Sequence, residues 1–387
     1  MADAESTADA AALRARLLGV RRVVVKVGSR LLRESPVGRP AAIADELAAL
    51  RAERGLEAVV VSSGAIALGM KVLGLATRPT EVPMLQACAA VGQGHLMQNW
   101  ERAFAAHGMP VGQVLLTHDD VNHRGRFLAA RHALAALLAH PVVPIVNEND
   151  TVAFEEIRFG DNDRLAALAV NLVGADALVI LTDVNGLHDA DPAAGGRRIP
   201  LVRDVAAEAT PFAGGAAASG VGTGGMASKV LAARIAGRSG IPTVVAPGRE
   251  PHILRAVLGG EDVGTLFLPP TDQRLGSRKH WLAYATRPGG AITIDDGARR
   301  ALADQQKSLL PSGVREVRGR FDAGDVVSLL DETGRELGRG LSSYSSEEVE
   351  RIRGRRSADI EGILGYKYLD EVIHRDDLVW LAEEQNP

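Results

Sequence analysis

The chain has 387 residues, 46% hydrophobic and 24% charged, a composition that excludes a disordered, collagen-like or membrane-embedded protein. Its 44 basic and 48 acidic side chains leave a formal charge of −4, which gives no overall pull towards nucleic acid or an anionic membrane. The single Cys88 excludes an intramolecular disulfide and a cysteine-based zinc site, and it fits a reducing, cytoplasmic setting.

The first 19 residues carry acidic side chains where a signal peptide needs positive charge, and they read as a flexible tail. Short runs rich in Val and Ile then predict buried strands at Val23–Val27, Ala58–Val61, Val142–Val146, Ala177–Leu181 and Pro242–Ala246. Ala- and Leu-rich stretches with helical spacing lie between them, at Pro40–Arg54, Phe127–Ala139, Arg164–Leu172 and Met226–Ala236. Strands alternating with helices predict an α/β fold, with a mostly parallel sheet covered by helices on both faces. The longest apolar region is broken by His140, Pro141 and Pro144, so it cannot span a bilayer.

One core rarely grows much beyond about 250–300 residues, so a large domain over 20–270 and a smaller one are expected. Pro269-Pro270 opens a polar stretch, 271–287, that reads as a linker. Residues 288–387 show short alternating strands with turn signals and predict a small β-rich domain with 14 basic and 20 acidic residues. The 42 glycines and 14 aromatics fit tight strand-to-helix turns that approach a ligand closely.

In a parallel sheet, ligands bind beyond the carboxyl ends of the strands. The residues predicted there are Lys26-Val-Gly28-Ser29, Ser62-Ser63-Gly64-Ala65, Asn147-Glu148-Asn149-Asp150 and Thr182-Asp183. Two loops add Gly160-Asp161-Asn162-Asp163 and Gly222-Thr223-Gly224-Gly225-Met226, the latter followed by Lys229. Taken singly, each has a plain structural reading. Lys26 is a solvated lysine, Ser62-Ser63-Gly64 a helix cap, Asp161 and Asp163 turn residues ahead of a helix at Arg164, and the glycine run a hinge. Together on one rim they supply cations, carboxylates and phosphate-cradling backbone, the parts that phosphoryl transfer needs. No GxxxxGK[ST] occurs and no GxGxxG follows the first strand, which argues against a P-loop or dinucleotide fold.

At these residues the sequence resembles the glutamate 5-kinases of the amino acid kinase superfamily. The tail segments AITIDDGA, SLLPSGV, FDAGDVVSL and Ile363-Leu-Gly-Tyr resemble a C-terminal PUA domain. The resemblance implies phosphorylation of the γ-carboxylate of L-glutamate by ATP with Mg²⁺, the first step towards proline. It implies that Lys26 and Lys229 flank the phosphoryl group and that Asp163 orients them. Ser63, Asp150, Asn162 and Asn147 would hold glutamate, with Asp150 facing its α-ammonium. Thr182, Asp183, Thr223, Gly224, Gly225, Met226, Ala227, Ser228 and Lys229, with Lys26, would bind the nucleotide; no metal ligands are assigned.

Feedback inhibition by L-proline around Thr117–Arg126, a homo-oligomer and coupling to glutamyl phosphate reductase are further expectations of the resemblance. Arg30, Ala129, His188 and Ser228 depart from the family pattern and bear on fine specificity. The alternatives are another amino acid kinase, such as one for N-acetylglutamate, and RNA binding through the tail. The tail's acidic balance argues against nucleic acid, with Arg351, Arg353, Arg355 and Arg356 the local exception.

Overall fold

The computed structural model describes residues 2–117, 120, 124–152, 162–191, 195–212, 225–270 and 288–381. The chain divides into two compact units, 1–122 with 129–274 and 123–128 with 275–387. The predicted linker 271–287 lies outside the described residues.

The first unit is built on eight strands: β1 (Arg22–Val27), β2 (Glu57–Ser62), β3 (Val111–Leu116), β4 (Val143–Glu148), β5 (Ala177–Thr182), β6 (Leu201–Val202), β7 (Thr243–Pro247) and β8 (Thr265–Phe267). They lie in the order β3-β4-β2-β1-β5-β7-β8-β6. The first six in that order pair in parallel, and β7 pairs with β8 antiparallel. The five predicted strands fall at β1, β2, β4, β5 and β7. Their β-branched runs are buried from end to end in β4 and β5, as expected for strands covered on both faces. The register sets Val27 beside Ser62 and Leu181, and Thr182 beside Pro247. The carboxyl ends of these strands therefore form one rim.

Helices α1 (Ala2–Ala15), α2 (Ser29–Glu34), α3 (Gly38–Arg54), α4 (Ala65–Val72) and α5 (Val82–Ala105) come from the first half. They are followed by α6 (Arg124–Ala139), α7 (Asn162–Val173), α8 (Met226–Arg238) and α9 (Ile253–Leu258). The spacing of Ile43, Leu47 and Leu50 turns one stripe of α3 into the core. Helices α4 and α5 meet backbone to backbone at two glycines. A Cβ on Gly69 would sit 1.8 Å from the Cys88 carbonyl oxygen, and one on Gly92 would sit 1.8 Å from that of Ala65. Only residues without a side chain allow this crossing.

The N-terminal segment differs from the flexible tail expected over 1–19. Arg14 is 1% exposed, and its guanidinium donates to the carbonyls of Pro200 (2.7 Å), Val263 (2.9 Å), Glu261 and Gly264 (both 3.1 Å). Leu17 and Val20 join the core. A buried guanidinium is tolerated when its charge and most of its donors are matched. Here the loops beside β6 and β8 match both terminal nitrogens and Asp262 pairs with one of them at 3.2 Å, while Nε finds no partner among the described residues.

The second unit holds a five-stranded sheet of β9 (Gly290–Ile294), β10 (Val314–Gly319), β11 (Val326–Leu330), β12 (Glu336–Leu341) and β13 (Leu378–Trp380), in the order β10-β9-β11-β12-β13. Ile292, Leu329, Tyr344, Val349 and Ile360 form its core. Helix α10 (Asp296–Gln305) is capped by Asp295, and α11 (Ser346–Ile352) by a capping box of Ser345 and Glu348. The predicted β-rich tail is present, with more helix than its alternating pattern suggests.

Candidate active site

The predicted rim residues Lys26, Asp163 and Lys229 meet at one point. Lys26 is the fifth residue of β1, Asp163 the second of α7 and Lys229 the fourth of α8. Asp163 is fully buried, and the two lysines are 5% and 4% exposed. Its Oδ1 pairs with Lys26 Nζ at 2.5 Å and its Oδ2 with Lys229 Nζ at 3.1 Å. Ser228 Oγ donates to the same Oδ2 at 2.6 Å. Burial alone would raise the Asp163 carboxyl, but the charges of Lys26 and Lys229 and the hydrogen bonds from Lys26 and Ser228 outweigh it. The carboxyl is held well below the ordinary carboxylate range.

The trio carries one net positive charge away from water. Such a charge is costly unless an anion completes it, so the arrangement suits a phosphoryl group. Asp163 is not a turn residue ahead of a helix, as it reads in isolation; α7 begins at Asn162 and presents it from the first turn. Asp161 and the glycines 222–224 lie outside the described residues, as does Thr223.

A second cluster surrounds Ser63. The turn after β2 passes through Gly64 at φ 107°, a left-handed conformation that favours glycine, before α4 begins. Asn162 Nδ2 reaches the Ser62 carbonyl at 3.0 Å, Ser63 Oγ at 2.9 Å and Asn147 Oδ1 at 2.8 Å. Asn147 is 2% exposed, and its Nδ2 donates to Gln93 Oε1 at 2.8 Å. Asn147 is thus tied on both sides, to Asn162 and to Gln93, and Ser63 beside it is half-buried. Asp150, two residues past β4, is also half-buried. Loss of hydration pushes its carboxyl up to about 6, against a smaller opposing pull from Arg78.

The predicted nucleotide residues that are described lie on the same rim. Thr182 Oγ1 donates to Asp183 Oδ1 at 3.1 Å. Arg30, one of the departures, fills its position with a purpose: its guanidinium pairs with Asp183 Oδ2 at 2.7 Å. Burial would raise the Asp183 carboxyl, but Arg30 keeps it below its ordinary range. Gly225 precedes α8, Met226 and Ala227 occupy its first turn, and Ser228 retains the hydroxyl that Asp163 uses. His188 is half-buried, with Nδ1 3.2 Å from the Gly186 carbonyl, and Ala129 is exposed on α6. Gln93 has no sequence motif of its own; the small-residue run Ala89–Gly94 is the signal that a close helix crossing lies beside it.

Two family models match this chain: the amino acid kinase family over residues 21–247 and the PUA domain over residues 290–364. The chain belongs to the amino acid kinase family. Within that family it is similar to proteins named glutamate 5-kinase. That of Geobacter sulfurreducens is 51% identical over 94% of this chain and 98% of its own length. The Myxococcus xanthus protein is 52% identical, over 95% of this chain and 98% of its own. The Thermus thermophilus protein is 50% identical, over 95% and 99%. Among solved structures, a UMP kinase from Bacillus anthracis overlaps 65% of this chain and 96% of its own, at a TM-score of 0.42 and 17% identity.

Among the described residues no cluster of three or more His, Cys, Asp or Glu could hold a metal ion, so they form no Mg²⁺ cage. Of the rim carboxylates, Asp163 and Asp183 are already paired with lysine and arginine. No helix among the described residues is long and apolar enough to cross a membrane.

Proposed function

We propose that this chain transfers the γ-phosphoryl group of ATP to the γ-carboxylate of L-glutamate, giving L-glutamyl 5-phosphate, the first step of proline biosynthesis. The observation that carries the proposal is the Lys26–Asp163–Lys229 bridge, two buried cations positioned by one carboxylate. A carboxylate nucleophile is ionised at neutral pH, with a free pKa of about 4.3, so no general base is needed. Catalysis then rests on positioning and charge. Lys26 and Lys229 stabilise the transferring group from two sides, and Asp163 fixes both ammoniums. Ser63 and Asn162 hold the substrate beside them, and ionised Asp150 takes its α-ammonium. Thr182, Asp183 and the loop ending in Gly225-Met226-Ala227-Ser228 bind the nucleotide; Thr223 and Gly224 belong to the same proposal. Mg²⁺ would enter with ATP as its counterion and supply further neutralisation of the phosphate charge.

A carboxylate at Asp150 suits a free ammonium better than an N-acetyl group, which would need an apolar pocket. The second unit is given a regulatory or structural role. Arg351 and Arg353 each direct a guanidinium donor to the carbonyls of Ile363 and Arg315, and Arg353 also pairs with Glu350 at 3.0 Å. A cytoplasmic homo-oligomer inhibited by L-proline and coupled to glutamyl phosphate reductase completes the proposal. Much of the segment 117–126, where proline is expected to act, lies outside the described residues.

Purified protein should release ADP on addition of L-glutamate and not on addition of N-acetylglutamate. The Lys229→Ala variant should keep its fold and lose about 10²–10³-fold or more in kcat, as expected when a charge-stabilising donor is removed. Activity on N-acetylglutamate alone would refute the proposal.

A further inference from the structure

Four side chains on four separate elements form a relay on one side of the proposed substrate site. Gln93 comes from α5, Asn147 from β4, Asn162 from α7, and Ser63 from the turn after β2. The direction of this relay follows from elementary chemistry. The Ser62 carbonyl can only accept, so the Asn162 group 3.0 Å from it is the NH₂. That NH₂ also faces Asn147, which must therefore present its oxygen, at 2.8 Å. Asn147 is then left with its own NH₂ to offer, and Gln93 receives it on Oε1 at 2.8 Å.

The relay ends in a disadvantage. Gln93 Nε2 is buried and finds no acceptor among the described residues. A buried amide donor without a partner works against folding, and a leucine there would avoid it. Local conflicts of this kind gather at functional sites, where geometry is kept at the expense of stability. The placement of Gln93 is itself costly in sequence terms. Its neighbour Gly92 must lack a side chain, because a Cβ there would lie 1.8 Å from the Ala65 carbonyl oxygen in the first turn of α4. That contact draws α5 up against the turn that carries Ser63.

We infer that Gln93 is a positioning residue for the proposed glutamate subsite. The Ser62 carbonyl turns the Asn162 NH₂ towards Ser63 Oγ, and Gln93, by accepting from Asn147, holds the Asn147 oxygen against that same NH₂ and so keeps Asn162 in place. Ser63, receiving a hydrogen bond from Asn162, keeps its own O–H to donate to the substrate. Gln93 touches no substrate in this role; it acts through two intermediates. The inference rests on the glutamate kinase proposal.

The test is steady-state kinetics of the full-length chain with L-glutamate and ATP, accompanied by thermal unfolding. Gln93→Met keeps the volume and removes the acceptor, leaving Asn147 free to turn. The KM for glutamate should rise about tenfold or more, the scale of losing a buried hydrogen bond and stranding its donor. The KM for ATP should stay within twofold. In the double variant Gln93→Met with Asn147→Ala, the two effects on glutamate KM should fail to add, because both break the same relay. Gln93→Asn, which stays polar but withdraws the acceptor by one methylene, gives the same reading should the Met variant not fold.

A glutamate KM within twofold of wild type in either folded variant would overturn the inference, as would additive effects in the double variant. A parallel rise in both KM values would also overturn it, since that marks general loosening. A wild-type chain without glutamate-dependent ADP release is a separate outcome, and it overturns the functional proposal and this inference with it.

Discussion

Replacing Asp163 by Asn removes one charge and almost no volume, so it isolates what the carboxylate does for Lys26 and Lys229. At an effective dielectric of about 20, unit charges 2.5 Å and 3.1 Å apart attract by about 7 and about 5 kcal/mol before desolvation is subtracted. Measured losses on breaking one side of a buried pair are about 3–5 kcal/mol. Without the carboxylate the two ammoniums lose the charge that compensates and positions them. We expect Asp163→Asn to lower kcat by at least about 10²-fold and to reduce unfolding free energy by about 3 kcal/mol or more. Glutamate-dependent ADP release and urea unfolding measure the two quantities. The linkage has a definite sign. Asp163 has a depressed pKa in the folded state, so its stabilisation is complete above the unfolded value of about 3.9 and is lost as pH falls below it. The variant should therefore lose less stability than wild type between pH 4 and pH 2. A variant with kcat within fivefold of wild type and an unchanged urea midpoint would show that the carboxylate does not position the lysines.

Asp150, raised to about 6 by burial, must be ionised to receive an ammonium. The KM for glutamate should fall as pH rises through about 6, by up to tenfold per unit on the acid side, and Asp150→Asn should flatten that profile; a flat wild-type profile from pH 5 to 7 would remove Asp150 from the role. Arg30→Ser leaves the Asp183 carboxylate unpaired beside the expected nucleotide phosphates, so the KM for ATP should rise about five- to tenfold with the glutamate KM unchanged. Arg14→Met removes four hydrogen bonds to carbonyls and the ion pair with Asp262. It should cost about 2–4 kcal/mol in urea unfolding without changing kcat at 25 °C.

Much of this site was legible from the order of small, charged and hydroxyl residues after buried Val-rich runs. The central strands read clearly because both of their faces are covered, which makes each a continuous apolar run. Edge strand β3 did not, since only Leu116 of its six residues is buried. Helix α5 was missed for a different reason. The middle of its packed face is Cys88, Ala89 and Gly92, and small residues at a close crossing interrupt the stripe that Leu85, Leu96 and Trp100 would otherwise mark. The burial of Arg14 was hidden as well, because an arginine in an Ala-rich N-terminal segment looks solvated until the carbonyls of 200 and 261–264 are brought to it. The same limit applies to Gln93. Its role depends on partners 54 residues further along the chain and beyond, and one glutamine in a helix carries no pattern.

The most direct test of the phosphoryl-transfer proposal is to trap its product. An acyl phosphate reacts with hydroxylamine to give a hydroxamate, whereas water as acceptor gives only inorganic phosphate. The wild-type chain with ATP and L-glutamate should form γ-glutamyl hydroxamate in a one-to-one ratio with ADP, and Lys229→Ala should form about 10²–10³-fold less. ADP release without hydroxamate, or hydroxamate formed undiminished by Lys229→Ala, would contradict the assignment of the Lys26–Asp163–Lys229 bridge as the phosphoryl-transfer site.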